Sequence, residues 1–400
     1  MNVTRSDRQA ILDHARDTKM ARSVHAYVRG NTASFYEWLA AAPVARQIPL
    51  GPPVWICGDC HLGNLGPLAD SDGNVAIQIR DLDQTVIGNP ALDLVRLGLS
   101  LETAARSSDL PGLTTVHMIE AMIGGYSRAM EQTAGPAKRS EPDVVRTVRR
   151  RALGRRWQNL ARERIGDTRP NIPLGKRFWA IEADERDAID ALFEQPDIRQ
   201  RVLELADLSE RDHIRVVDAA YWKKGCSSLG YLRFAVLLGL RKKGSKDEHL
   251  ALVDIKEALA SVAPVAKGAK MPDDAAARVV EGASATSPNL GQRMIAAVLL
   301  SKPVVLRELA PQDLKLEIEQ FSRREAVGAA SYLAHIVGLA HARQMTPDRR
   351  ASWLGQLTKA HGDLDAPSWL WRSVVDLAGA HEIGYLDHCR RLALADSSAN

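Results

Sequence analysis

Residues 57–96 read CGDCHLGNLGPLADSDGNVAIQIRDLDQTVIGNPALDLVR. The apolar Val54-Trp55-Ile56 just before them predicts a buried strand leading in. Leu65 to Leu68 and Val75 to Ile79 are short apolar runs joined by Asp72-Gly73-Asn74, a strong hairpin signal. The first loop holds Asp59 and Asn64, and the returning strand carries Asp81 and Asp83 to the same end. Gly88-Asn89-Pro90 closes the extended segment, and Leu92, Leu94, Val95, Leu97 and Leu99 predict a helix after it.

Phosphoryl transfer needs one carboxylate to orient the attacking hydroxyl. It also needs a side-chain carbonyl and a second carboxylate to hold divalent metal against the nucleotide phosphates. A hairpin that brings loop and return strand together lets Asp59, Asn64 and Asp81 take those roles. Asp72 and Asn74 are ordinary turn residues and carry no such reading. Cys57-x-x-Cys60 with His61 raises a zinc or redox pair as a lesser alternative, without a second ligand pair nearby.

CGDCHLGN resembles the catalytic loop of the aminoglycoside-phosphotransferase branch of the protein-kinase-like superfamily, usually His-Gly-Asp-x-His-x-x-Asn. RDLDQTVIGNPALDL resembles that branch's metal-binding segment. The resemblance implies that Asp59 is the catalytic base and that Asn64 and Asp81 are metal ligands. It implies that Asp93 braces the loop, with His61 beside it in support. Cys57 stands where the family has its first His. Asp83 stands where kinases have the Gly of their metal motif, and it joins the expected metal ligands. The chain as a whole also resembles an uncharacterised bacterial family.

Four hundred residues, 45% hydrophobic and 26% charged, suit a soluble protein with two lobes. The longest apolar run, Met294 to Leu300, is far too short to span a bilayer. The opening MNVTRSDRQA has no signal-peptide core, and the cysteine count of 4 argues for a reducing cytoplasm. The expectation is a cytoplasmic protein with no membrane partner.

On the N-terminal side of the motif, residues 6–42 read as helices, with Ser6 capping the first and Asn31 or Thr32 a later one. Arg29-Gly30 at a helix junction could present a guanidinium to a phosphate or pair with a neighbouring carboxylate. On the C-terminal side, residues 92–132 are helical. Residues 138–177 hold thirteen Lys or Arg against four Asp or Glu, on a chain whose net charge is only +4. A solvated helix whose arginines pair across the fold is the preferred reading there, with an anionic partner as the alternative. Another helix is expected over 185–208.

Ile214 to Trp222, Tyr231 to Leu240 and Ala251 to Ile255 then predict a three-strand meander, with Gly225-Cys-Ser-Ser-Leu-Gly230 between the first two. The third ends at Lys256. This resembles a kinase small lobe, which implies that Gly225, Ser227, Ser228 and Gly230 cover the nucleotide phosphates and that Lys256 contacts them. Glu281, on the helix expected next, is the candidate partner of Lys256. Pro303 to Leu309 predicts another strand, Ala310-Pro311 a hinge, and 313–345, 347–361 and 367–395 long helices. His335 and His341 read as packing residues.

In kinases the Gly-rich loop and the Lys precede the catalytic loop, whereas here they follow it. The expected fold is therefore α+β, two-lobed and circularly permuted. Residues 1–211 and 312–400 would form a mainly helical large lobe, and 212–311 a small antiparallel β lobe. The expected function is an ATP- and Mg²⁺-dependent (or Mn²⁺-dependent) phosphotransferase acting on an unidentified hydroxyl acceptor, a small molecule or a protein. Adenylyl transfer, a regulatory nucleotide-binding pseudokinase and a basic nucleic-acid-binding helical protein are the alternatives.

Overall fold

A computed structural model describes residues 3–70, 72–131, 141–153, 171–225, 229–309, 322–359 and 367–398. The chain starts with three helices, α1 (Arg5–Met20), α2 (Val24–Gly30) and α3 (Thr32–Ala41). Thr4 rather than Ser6 precedes the first, so Ser6 lies inside it. The Ser23 and Asn31 side chains accept the Ala26 and Ser34 amides and start the other two.

The motif folds into two small antiparallel ladders. Strand β1 (Val54–Ile56) pairs with β4 (Val86–Gly88), and β2 (Leu65–Ala69) pairs with β3 (Val75–Ile79). The Asp70 carboxylate closes the hairpin by accepting the amides of Asp72 and Asn74. Helix α4 (Ala91–Ser107) follows and is buried on nearly every face. A helix packed on all sides must find partners for the polar groups it carries, and Asp93, Arg96 and Ser100 find theirs in the motif. Helix α5 (Gly112–Glu131) packs against α4, and α6 (Asp143–Leu153) lies against the β2–β3 hairpin. In α6, Arg146 pairs with Asp143 and Arg149 with Glu141. Arg155 and Arg156 lie outside the described residues.

The rest of the β structure is one antiparallel sheet of six strands, ordered β5-β6-β7-β8-β10-β9. Its first strand is β5 (Phe178–Trp179). Helices α7 (Ala183–Glu194) and α8 (Pro196–Leu205) come next, and Pro196 divides the single helix expected over 185–208. Then follow β6 (His213–Trp222), β7 (Arg233–Arg241) and β8 (Glu248–Glu257). Helices α9 (Ala275–Thr286) and α10 (Pro288–Gly291) precede β9 (Met294–Leu299) and β10 (Lys302–Glu308).

Strand β7 is buried from Arg233 to Leu240, as its unbroken apolar run requires of a strand covered on both faces. One face packs on α1, α7 and α8 through Leu12, Ile189, Phe193 and Ile198. Residues 178–205 therefore pack with the sheet, although the expected boundary at 212 assigned them to the helical part. Helix α1 belongs to both parts. Its buried Arg8 donates to Glu185 at 2.7 Å, while its Asp17 carbonyl receives His388 Nε2 at 2.9 Å.

The helical part is completed by α11 (Arg323–Ala342), α12 (Pro347–Lys359) and α13 (Ser368–Ser398). Ser322 and Glu325 form a capping box at the start of α11. The expected hinge Ala310-Pro311 falls outside the described residues. The architecture is mixed α+β with antiparallel sheets. No helix among the described residues is long and apolar enough to cross a membrane.

Candidate active site

The loop after β1 is built around Asp93. Gly58 has φ +73°, and a Cβ there would stand 2.1 Å from the Gln84 carbonyl oxygen, so only glycine fits. The Asp93 carboxylate accepts the amides of Cys57 at 2.8 Å and Gly58 at 3.0 Å. His341 Nε2 meets the same carboxylate at 3.1 Å and must donate to it. Its Nδ1 lies 3.0 Å from the Tyr126 hydroxyl, whose oxygen in turn accepts Trp353 Nε1–H at 3.1 Å. A buried chain of donors thus runs from Trp353 through Tyr126 and His341 to the loop. Tyr36 adds a hydrogen bond from its hydroxyl to the Gly58 carbonyl.

Three residues of α4 at i, i+3 and i+7 hold the loop from one helix face. They are Asp93, Arg96 and Ser100. Ser100 Oγ accepts the Leu62 amide at 3.1 Å. Arg96 is fully buried, and its Nε donates to Asp59 Oδ1 at 2.8 Å. Its Nη2 donates to the Val28 carbonyl, and its Nη1 has no hydrogen-bond partner. The second Asp59 oxygen lies 3.8 Å from His61 Nε2. His61 Nδ1 accepts the Gly63 amide at 3.1 Å, so its proton sits on Nε2 and points toward Asp59. Burial, followed by the charges of Arg29 and Arg96, holds the His61 imidazole well below its usual range. Asn64 Nδ2 donates to the Asp59 carbonyl at 3.0 Å, which leaves the Asn64 side-chain oxygen without a partner among the described residues.

The return strand closes on this loop. The Arg80 amide donates to the Asn64 carbonyl at 2.7 Å, and Cys57 Sγ lies 3.6 Å from the Asp81 carbonyl. Asp81 and Asp83 then face the end of β8. Lys256 Nζ is 3.4 Å from Asp81 Oδ1 and in direct contact with Asp83 Oδ2. Burial disfavours the Asp81 charge, but the Lys256 ammonium and then Arg233 outweigh it and hold this carboxyl below the usual range. Burial and the neighbouring Asp81 charge push Asp83 up to about 6. The pair therefore titrates as a unit and retains one proton into mildly acid solution. Arg233, opposite Lys256 in the ladder, is committed to Asp254 through a two-pronged pair. A cleft of about 480 Å³ opens here, lined by Asp81, Asp83 and Lys256 and by the apolar Val279, Met294 and Val305.

The structure brings Asp59, His61, Asn64, Asp81, Asp83, Asp93 and Lys256 together, with Arg29 against the loop. It does not bring Glu281 to Lys256. That carboxylate is exposed on α9, and the lysine goes to Asp81 and Asp83 instead. The buried face of α9 presents Arg278, which donates to the carbonyls of Thr85, Asp83 and Leu259 and fixes the Asp81–Asp83 turn. Of the expected phosphate loop, Gly225 accepts Lys19 Nζ at 2.7 Å and Gly230 abuts Gln9, so both ends rest on α1. Ser227 and Ser228 lie outside the described residues.

Oxygen donors from Asn64, Asp81 and Asp83 suit Mg²⁺ or Mn²⁺. The Asn64 oxygen needs a partner, and the two carboxylates already gather a cation, the Lys256 ammonium. Cys57, Cys60 and Asp93 also place potential ligand atoms within 4.8 Å of one another. These three are one short of a closed tetrahedral zinc site. The Asp93 oxygens are already occupied by three donors, and the hydrogen bond to Cys60 and then burial raise the Cys57 thiol and keep it protonated.

Arg96 and Arg278 were missed in the sequence. Arg96 sits on a helix read for its apolar positions and Arg278 on one read for Glu281, and the spacing of Asp93, Arg96 and Ser100 was the signal available for the first. A model of one protein family matches residues 8–391. The chain belongs to that family, the uncharacterised proteins conserved in bacteria (DUF2252). Comparison with curated proteins and with solved structures gives no match. Within this DUF2252 chain the match takes in all the residues of the candidate site.

Proposed function

We propose that the protein is a nucleotide-dependent phosphotransferase of circularly permuted kinase-like architecture. The observation that carries this reading is the meeting of Lys256 with Asp81 and Asp83. The lysine arrives from a sheet strand 175 residues downstream, at the end of the hairpin that also positions Asn64 and Asp59. Motif residues from two distant stretches of the chain meet at one cleft, which supports the reading.

In this reading Asn64, Asp81 and Asp83 would hold a divalent cation, which when bound neutralises charge on the β- and γ-phosphates of ATP. Lys256 leaves the carboxylates and takes up the phosphates. Asp59 keeps one oxygen on Arg96 and offers the other to the acceptor hydroxyl. As the acceptor oxygen forms its bond to the γ-phosphorus and the bond to ADP breaks, the hydroxyl proton passes to Asp59. Arg96 holds that carboxylate still, which lowers the cost of orientation. The apolar Val279, Met294 and Val305 offer a surface for the base.

The test is calorimetry with ATP, with Mg²⁺ and with EDTA, followed by release assays with label in the α- or γ-phosphate. Metal-dependent binding and transfer of γ-label support the proposal. Transfer of α-label converts it to adenylyl transfer. Equal binding in EDTA removes the metal assignment. A second reading, a nucleotide-binding pseudokinase, draws on the Arg96–Asp59 pair, since it leaves only one Asp59 oxygen to meet an acceptor hydroxyl. Binding without any transfer would select it.

A further inference from the structure

Arg29 is the one residue at the catalytic loop whose charge the described residues leave unanswered. It is half-buried at the end of α2, yet no hydrogen bond or ion pair to it is formed among the described residues. Several other buried or half-buried arginines meet a carboxylate, and the buried Arg278 donates to three carbonyls. Arg8 meets Glu185, Arg149 meets Glu141 and Arg233 meets Asp254. Arg29 instead lies flat against Gly63 in the turn that carries Asn64. A Cβ at Gly63 would fall 2.4 Å from its Nη2 and 2.7 Å from its Cζ, so a side chain there would expel the guanidinium.

The surroundings add positive charge without removing it. Arg96 passes beneath, bonded to the carbonyl of Val28, with Nη1 buried and unpartnered. His25, one helical turn before Arg29, is held at about 4 by burial and then by Arg29 and Arg96, so it is neutral in ordinary solution. Asp59 and Asp81 are the nearby carboxylates, and they are taken by Arg96 and Lys256. A guanidinium held flat, half-desolvated and unpaired is arranged to receive a planar or tetrahedral anion through two hydrogen bonds.

We infer that the acceptor is a hydroxylated anion whose carboxylate or phosphate is bound by Arg29, so that its hydroxyl faces Asp59. This rests on the phosphotransferase reading for the role of the anion, but the anion site itself does not depend on it. A polycationic acceptor is disfavoured by the same charges. Gly63 is the residue that lets the site form.

The test is calorimetric titration of the full chain and of Arg29→Ala and Arg29→Lys with glycerol 3-phosphate, D-glycerate and glycerol, each with and without ADP and Mg²⁺. The phosphate or the carboxylate compound should bind at least tenfold more tightly than glycerol. Arg29→Ala should abolish that preference, and Arg29→Lys should keep part of it. ADP affinity should be the same in all three proteins. Which of the two anionic compounds binds better distinguishes phosphate from carboxylate. Equal binding of glycerol and its anionic derivatives overturns the inference, as does an unchanged preference in Arg29→Ala. Displacement of the anion by ADP also overturns it, by placing the anion in the nucleotide site. If ADP fails to bind while the Arg29-dependent preference persists, the phosphotransferase reading falls and the anion site stands.

Discussion

Asp59 is paired with an arginine of the same helical part, 37 residues away, whereas Asp81 and Asp83 are paired with a lysine from the sheet, 173 to 175 residues away. The first pair is closed: the Arg96 side chain is 0% exposed and that of Asp59 11%. The second is open: Lys256 is 15% exposed, Asp83 31% and Asp81 45%. A closed pair fixes geometry, since neither ion can be solvated if its partner leaves. An open pair is exchangeable, since water, metal or phosphate can take either side. One acidic centre is thus set as a permanent fixture, and the other is ready to trade its cation.

The sharpest break of this comparison is catalytic. Asp59→Asn should lower γ-phosphoryl transfer by about 10²–10⁴-fold while ADP affinity stays within a factor of about two. Asp81→Ala should instead lose its Mg²⁺-dependent ADP affinity. Steady-state kinetics and calorimetry on both variants would collapse the distinction if both lost binding alike.

Stability gives the next largest contrast. Asp59→Ala strands a buried guanidinium and should cost about 3–5 kcal/mol in urea denaturation, whereas Lys256→Met should cost at most about 1 kcal/mol. Replacing Asp59 and Arg96 together by Leu and Met should recover much of the loss. Similar costs for Asp59→Ala and Lys256→Met would show that the two pairs are equally closed.

Asp93→Ala strips the Cys57 and Gly58 amides and His341 of their acceptor. It should cost about 3 kcal/mol, on the order of 1–3 kcal/mol for each orphaned group less what relaxation and water recover.

The smallest effect concerns pH. A proton held by the Asp81–Asp83 pair up to about 6 competes with a divalent cation. Affinity for ADP with Mg²⁺ should therefore rise about tenfold per unit as pH climbs toward 6, then level off. Asp83→Asn should flatten that rise. In the ligand-free protein the sign is opposite. The raised Asp83 group holds its proton more tightly folded than unfolded, so its contribution to stability is full below the unfolded carboxylate range and is lost as pH rises through about 6. A pH-independent affinity would show that Asp83 never shares a proton with Asp81.

Local pattern made the hairpin readable, because Asp72-Gly73-Asn74 and flanking apolar runs admit one pairing. The meander from His213 to Glu257 was readable for the same reason. The apolar run Met294 to Leu300 reads only as too short for a membrane, although strands of that length are ordinary; the pairing of β9 with β10 depends on residues that follow a tight turn. Pro196 is the sequence mark of the break that a single helix over 185–208 leaves out. The Asp59, Asn64 and Asp81 cluster followed from the hairpin. The partner of Lys256 did not, because carboxylates already delivered by the hairpin were closer than any helix glutamate. Arg96 escaped notice because a run such as LDLVRLGL reads as apolar, when burial on all sides is what obliges its one cation to find a carboxylate.

His341 reaches Asp93 from 248 residues downstream. A ribosome adds roughly 5–20 residues per second, so the nascent loop around Asp59 waits on the order of tens of seconds for its clamp. During that interval Asp93 lacks its His341 partner, and the loop it holds is only partly locked. The loop around Asp59 is among the first segments made and among the last to be locked, so protection of its amides on the ribosome should lag synthesis of the motif until α11 has emerged.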